Sequence, residues 1–161
     1  MSNWPGDAAV FPICLPIIKQ FEGFRAAPYL DSVGVATVGY GTTHYPDGSA
    51  VTLQDPPITG AEANSYLTAY VARESTAITP LLQRMPTLNQ AAAMLSLAYN
   101  IGTPHYTASS VLRDFNAGNF PAAADAFLLW DKGTVNGQLV VIPGLHARRV
   151  AERTIFLATD S

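Results

Sequence analysis

Residues 21–41 read FEGFRAAPYLDSVGVATVGYG, and this stretch decides the fold. It begins at the end of an apolar run with helical spacing (Ile17, Ile18, Phe21) and passes into short β-prone pieces holding Val33, Val35, Val38 and Tyr40. Gly23, Gly34, Gly39 and Gly41 punctuate it, marking a helix end and tight turns. Glu22, Asp31 and Thr37 stand nine and then six residues apart. The reading puts one carboxyl at a helix end and another on a hairpin.

Working outward, residues 1–11 read as a loose lead-in containing Pro5 and Gly6. A first helix is expected from about Pro16, a favoured residue at a first helical position, to Gly23. Residues 28–57 form a β lobe, a small antiparallel sheet with the turn signal Pro46-Asp47-Gly48. Residues 59–158 form a helical lobe. Thr59 with Glu62, and Thr87 with Gln90, are capping-box patterns that open two helices. The second is apolar on nearly every face (Met94, Leu95, Leu97, Ala98, Ile101) and reads as the buried central helix. Ser109 or Ser110 caps a short helix, and another runs from about Pro121 to Trp130. Asn136-Gly137 marks a two-residue hairpin, and a last helix follows Pro143. The expected fold class is therefore α+β and mostly helical: a small antiparallel sheet lobe and a helical lobe with a cleft between them.

The chain has 161 residues, 48% of them apolar, which suits one domain over 1–161. At this length about 70% of the unfolded surface is buried on folding, so no disulfide or metal is needed. A formal net charge of −3 argues against broad nucleic-acid binding. The single cysteine, Cys14, allows no internal disulfide and reads as a small apolar packing residue. Pro12 and Pro16 break the N-terminal apolar run, and no segment approaches the ~20 apolar residues of a membrane span. Stable membrane insertion is not expected.

The chemistry these residue types suggest is general acid–base work. Two carboxyls flanking one bond suit glycoside hydrolysis: a protonated acid serves the leaving oxygen, and an ionised carboxylate serves a water or attacks directly. Glu22 is the candidate acid, with Phe21 and Phe24 to desolvate it. Asp31 is the candidate base. It also suits a turn that bonds its own backbone, and the two roles are compatible. Thr37 is the candidate to hold the same water. His44, His105 and His146 are scattered without an HExxH pattern, so neither metal nor cofactor is expected. No G-x-S-x-G marks a serine nucleophile.

These residues carry a family likeness. Glu22, Gly23, Tyr29, Asp31, Gly34, Thr37, Gly39 and Gly41 meet the pattern Glu-Gly-x6-Tyr-x-Asp-x2-Gly-x2-Thr-x-Gly-x-Gly. Asn100-x-Gly102 with Tyr106 follows, then Trp130 and the run PGLHARRVAER. Over residues 15–157 the chain resembles the phage-type lysozymes, or endolysins, of glycoside hydrolase family 24. The resemblance implies a lysozyme-like fold and cleavage of the β-1,4 bond between N-acetylmuramic acid and N-acetylglucosamine. It implies inversion of configuration, with Glu22, Asp31 and Thr37 as the catalytic trio. Tyr29, Gly41 and Asn100 fall at positions that line the sugar cleft. Gly41 would let backbone approach the ligand, and Asn100 would bond an acetamido group. Arg148 or Arg149 either pairs with Glu22, as a C-terminal arginine does in relatives, or lies with Glu152 on a solvated helix face. The chain departs from the pattern after Gly41, where Thr42 replaces the usual histidine, and in its long, proline-rich loop from 44 to 57.

Two other functions remain open to the sequence. A lytic transglycosylase needs one glutamate and neither Asp31 nor Thr37. A catalytically silent glycan-binding or virion module would use the fold alone. On the leading reading the partner is the peptidoglycan glycan strand, and the protein is a monomer. It is held in the host cytoplasm until a separate holin-type protein lets it reach the wall in the periplasm.

Overall fold

Two prolines lie inside the first helix, where each removes a backbone bond. In the structure, a computed structural model describing residues 2–160, α1 spans Asp7–Glu22 and contains Pro12 and Pro16. The helix therefore starts well before Pro16 and takes up half of the expected lead-in. The reason is the spacing of the prolines. Ala8, Pro12, Pro16 and Gln20 share one exposed stripe, so the carbonyls that lose their donors, those of Ala8 and Pro12, face water. Val10, Cys14, Ile17 and Ile18 form the buried stripe. Asp7 fixes the first turn by accepting from Trp4 Nε1 at 2.9 Å and from the Ser75 hydroxyl. Cys14 is fully buried, and burial pushes its thiol far above the ordinary range, so it packs as an apolar group.

The chain is α+β and mostly helical, with two small antiparallel sheets. It divides into two compact units, one of Met1–Ile17 with Glu74–Ser161, the other of Ile18–Arg73. No helix among the described residues is long and apolar enough to cross a membrane.

The first unit is built on α3 (Leu88–Ile101), opened by the Thr87–Gln90 capping box. Every residue from Gln90 to Ala98 in α3 is buried, and the helix packs against α7 (Pro143–Leu157). Gly102, at φ 87°, ends α3 and starts α4 (Thr103–Thr107), a helix the sequence pattern did not announce. Ser109, not Ser110, caps α5 (Ser110–Asn116). Next, α6 (Phe120–Ala126) is capped by Asn119 and runs into a 3₁₀ turn over Phe127–Trp130. Strands β3 (Lys132–Val135) and β4 (Gln138–Val141) form the expected hairpin, with Asn136 and Gly137 both at positive φ.

The second unit holds β1 (Arg25–Leu30), β2 (Ala36–Gly39) and the first part of α2 (Gly60–Ile78). The Thr59–Glu62 capping box forms as expected, with Thr59 N–H donating to Glu62 at 2.8 Å and Glu62 N–H to the Thr59 hydroxyl at 3.1 Å. β1 starts at Arg25, three residues before the expected β lobe. Gly39 lets this sheet approach α2: a Cβ there would lie 3.1 Å from the Cβ of Ala63.

Candidate active site

Gly23, at φ 69°, ends α1 directly after Glu22, so the carboxyl stands on the last helical residue. The chain then enters β1. Arg25 pairs with Gly39 and Tyr29 with Thr37, so β1 holds two residues more than β2 over that interval. Pro28 sits in this bulge, where its missing N–H breaks no ladder bond. The bulge sets Tyr29 directly across from Thr37. Arg25 lies 4.3 Å over the Tyr29 ring.

The turn between the strands is organised by Asp31. Its N–H donates to the Val35 carbonyl at 2.9 Å, and its own carbonyl accepts from Gly34 at 3.1 Å. Its Oδ1 accepts from the Val33 and Val35 N–H groups at 2.9 and 2.8 Å. The turn role anticipated for this aspartate is thus real, and it uses one carboxylate oxygen. Oδ2 accepts nothing from another described residue. Thr37 is buried, and its hydroxyl donates to the Val35 carbonyl at 2.9 Å. With its one hydrogen committed, it can only accept from any further partner.

Gly41 has a more specific role than the sequence suggested. At φ 82° its backbone lies against the Glu22 carboxyl, and a Cβ there would be 2.9 Å from Oε2 and 3.3 Å from Cδ. The close approach is to the protein's own acid. Glu22, Tyr29, Asp31, Thr37 and Gly41 all belong to the Ile18–Arg73 unit. Sequence reasoning missed Tyr40, which packs 5.6 Å from Phe24 and carries Lys19 5.5 Å above its ring. Thr42, next in the chain, is buried, and its hydroxyl has no hydrogen-bond partner among the described residues.

The remaining candidates lie in the other unit. Asn100 is on the last turn of α3, half-buried, and its amide makes no hydrogen bond to a described residue. Arg148 and Arg149 are not on a solvated face. Both are buried on α7 with Glu152. Glu152 Oε1 accepts from Arg148 Nε at 3.1 Å, Arg149 Nη2 at 3.0 Å and the Ser96 hydroxyl at 2.8 Å. Arg149 Nε lies 2.9 Å from Glu152 Oε2 but off hydrogen-bonding angle, and Arg149 Nη1 has no partner among the described residues. Burial pushes the Glu152 carboxyl up and the Arg149 guanidinium down, each opposed by the other's charge. The Arg-Arg-x2-Glu spacing was visible in sequence. That it is buried was not. No group of three or more metal-ligating side chains occurs among the described residues.

Residues 19–152 match the phage lysozyme family. The endolysin of Salmonella phage P22 is 36% identical over 141 residues, which is 88% of this chain and 92% of the relative. Among solved structures, an endolysin from Escherichia coli O157:H7 phage FAHEc1 superposes with a TM-score of 0.84 at 38% identity, covering 89% of each chain. The muramidase domain of SpmX from Asticaccaulis excentricus gives 0.78 at 30% identity, covering 96% of this chain and 97% of its own. A match along most of the sequence, with relatives of 30% identity or more over nearly their whole lengths, shows that this chain belongs to the phage lysozyme family and is a glycoside hydrolase.

Proposed function

We propose that the chain is an N-acetylmuramidase, a peptidoglycan hydrolase of phage host lysis that cuts the β-1,4 bond between N-acetylmuramic acid and N-acetylglucosamine. Glu22 acts as the general acid for the leaving oxygen. Asp31 acts as the general base for a water, and Thr37 orients that water. The observation that carries the reading is the division of labour at Asp31: one oxygen holds the turn, the other is open. A water donating one hydrogen to Asp31 Oδ2 and the other to Thr37 Oγ1 turns a lone pair outward, toward a sugar carbon. This use of Asp31 as a base gives inversion, which needs carboxyls about 6.5–9.5 Å apart rather than the ~5 Å of a retaining pair. Tyr29 and the open amide of Asn100 are the sugar-binding candidates, Asn100 for an acetamido group.

Clearing of outer-membrane-permeabilised bacteria by wild type and Glu22→Gln is the primary test. Equal clearing by both would end the proposal. NMR of the first-formed anomer checks inversion, and release of 1,6-anhydro sugars would mark a lytic transglycosylase instead. The same reading has the protein reach the wall from the host cytoplasm through a separate holin-type protein. Fractionation of cells with and without such a protein tests that step: clearing without it would refute it.

A further inference from the structure

Gly39, Tyr40 and Gly41 form the tip of a loop beside Glu22. Val38 and Thr42 close the loop: Val38 N–H donates to the Thr42 carbonyl at 2.8 Å, and Thr42 N–H to the Val38 carbonyl at 2.9 Å. Gly39 and Gly41 stand at φ 67° and 82°, where a side chain would be strained. Gly41 is the residue whose backbone meets the Glu22 carboxyl. Tyr40, between the two glycines, therefore supplies the only side chain by which the tip can be held.

Two neighbours hold that ring. Phe24 packs against it with centroids 5.6 Å apart. The Lys19 ammonium lies 5.5 Å from its centroid, inside the ~6 Å reach of a cation–π contact. The ammonium is itself anchored, because Lys19 Nζ donates to the side-chain oxygen of Asn64 on α2. Ala63, the chain neighbour of Asn64, is the residue that meets Gly39. Lys19 forms no ion pair with a described residue, so an amide oxygen and a ring face alone place its charge. All of these residues belong to the Ile18–Arg73 unit.

Lys19 and Glu22 are three residues apart on α1, so they project from the same side of its last turn. One helical turn thus touches the loop tip twice, at Tyr40 through Lys19 and at Gly41 through Glu22. The geometry points to Lys19 as a positioning residue for the general acid: by holding the Tyr40 ring it fixes the Gly41 backbone against which the Glu22 carboxyl rests. Release of the ring would leave the fold and the carboxyl in place but free the surface that seats it. A ~1 Å misplacement of a reacting group costs on the order of 10²-fold in rate. This role rests on Glu22 being the general acid and adds a residue outside the trio that sets where the acid stands.

Turnover of soluble, uncross-linked peptidoglycan strands by Lys19→Met tests it. We expect kcat to fall about tenfold or more, with KM changed by less than about twofold. Lys19→Arg keeps a cation that stacks on an aromatic face and should recover most of the loss. In a Tyr40→Leu background, itself slowed, Lys19→Met should lower kcat no further, because both changes release the same loop. Circular dichroism and thermal unfolding verify that each variant is folded at the assay temperature. Unchanged kcat in Lys19→Met, a rise in KM alone, or losses that multiply in the double variant would each overturn the inference. So would a shift in the pH–rate profile of Lys19→Met that Tyr40→Leu does not share, since the charge would then act on Glu22 without the ring. If Lys19→Met does not fold, Tyr40→Leu carries the test, and unchanged kcat there overturns the inference equally. Glu22→Gln keeps the two readings apart: a dead Glu22→Gln beside an unimpaired Lys19→Met removes the positioning role and leaves the acid assignment standing.

Discussion

The Glu22 carboxyl rests against the backbone of Gly41, with Oε2 only 2.9 Å from the point where a Cβ would stand. Sequence places these residues nineteen positions apart, one at a helix end and one after a strand. The acid is therefore seated by an absent side chain. Gly41→Ala should displace the carboxyl and lower kcat by roughly 10²-fold, the scale of a ~1 Å misplacement. The positive φ adds a stability cost of about 1 kcal/mol. Kinetics on permeabilised cells, with denaturation to confirm folding, checks this. Unchanged kcat would show that Glu22 works from another position.

Asp31 combines a turn role with the proposed base role, and the two separate by substitution. Asp31→Asn keeps an oxygen to accept from Val33 and Val35, so stability should change by less than about 1 kcal/mol. Activity should fall by about 10²–10⁴-fold, the usual contribution of a general base. Asp31→Ala should lose both. Parallel urea unfolding and turnover measurements distinguish them.

Thr42 buries a hydroxyl with no partner among the described residues. Valine has the same shape without the unsatisfied oxygen. Thr42→Val should therefore leave the fold intact and raise stability by about 1 kcal/mol. A loss of stability in thermal unfolding would mean the hydroxyl is bonded in solution.

Two buried guanidiniums face Glu152 on α7. Glu152→Ala would take the Glu152 carboxylate from a buried cluster with two cations and should destabilise by about 3–5 kcal/mol. The matched change Arg149→Met with Glu152→Leu should cost much less, because it removes a charge from each side. Chemical denaturation of both variants measures the difference.

Asp131 is buried between Lys132 Nζ at 3.2 Å and His146 Nδ1 at 2.9 Å. The hydrogen bond from His146, then that from Lys132, holds its carboxyl below the ordinary range. Asp47 and Asp55 are held down likewise by Ser49 and by Thr52 with Tyr45. Because these folded values are depressed, their stabilisation is present above the unfolded carboxylate value of about 3.9 and is lost as pH falls through the lower folded values. Asp131→Asn should flatten that acid-side loss while leaving a constant deficit near neutrality. A melting series from pH 2 to 7 reads both.

The local elements were largely legible. Capping boxes at Thr59 and Thr87, the Asn136-Gly137 turn and the largely apolar α3 act through neighbours in sequence, so short-range patterns reported them correctly. The start of α1 was misread because Pro12 and Pro16 count as helix breakers by residue type. They are tolerated because a four-residue spacing puts both on the solvent side.

By itself the sequence determined which residue types were available, a glutamate ending a helix and an aspartate and threonine on one hairpin, together with the family they indicate. Only tertiary structure decided that Gly41 makes room for Glu22, that Thr37 has already spent its hydrogen, and that Arg148 and Arg149 are buried around Glu152. The division has a physical cause. Capping and turn formation depend on atoms a few residues apart, whereas close approach, donor commitment and desolvation depend on groups that folding brings together.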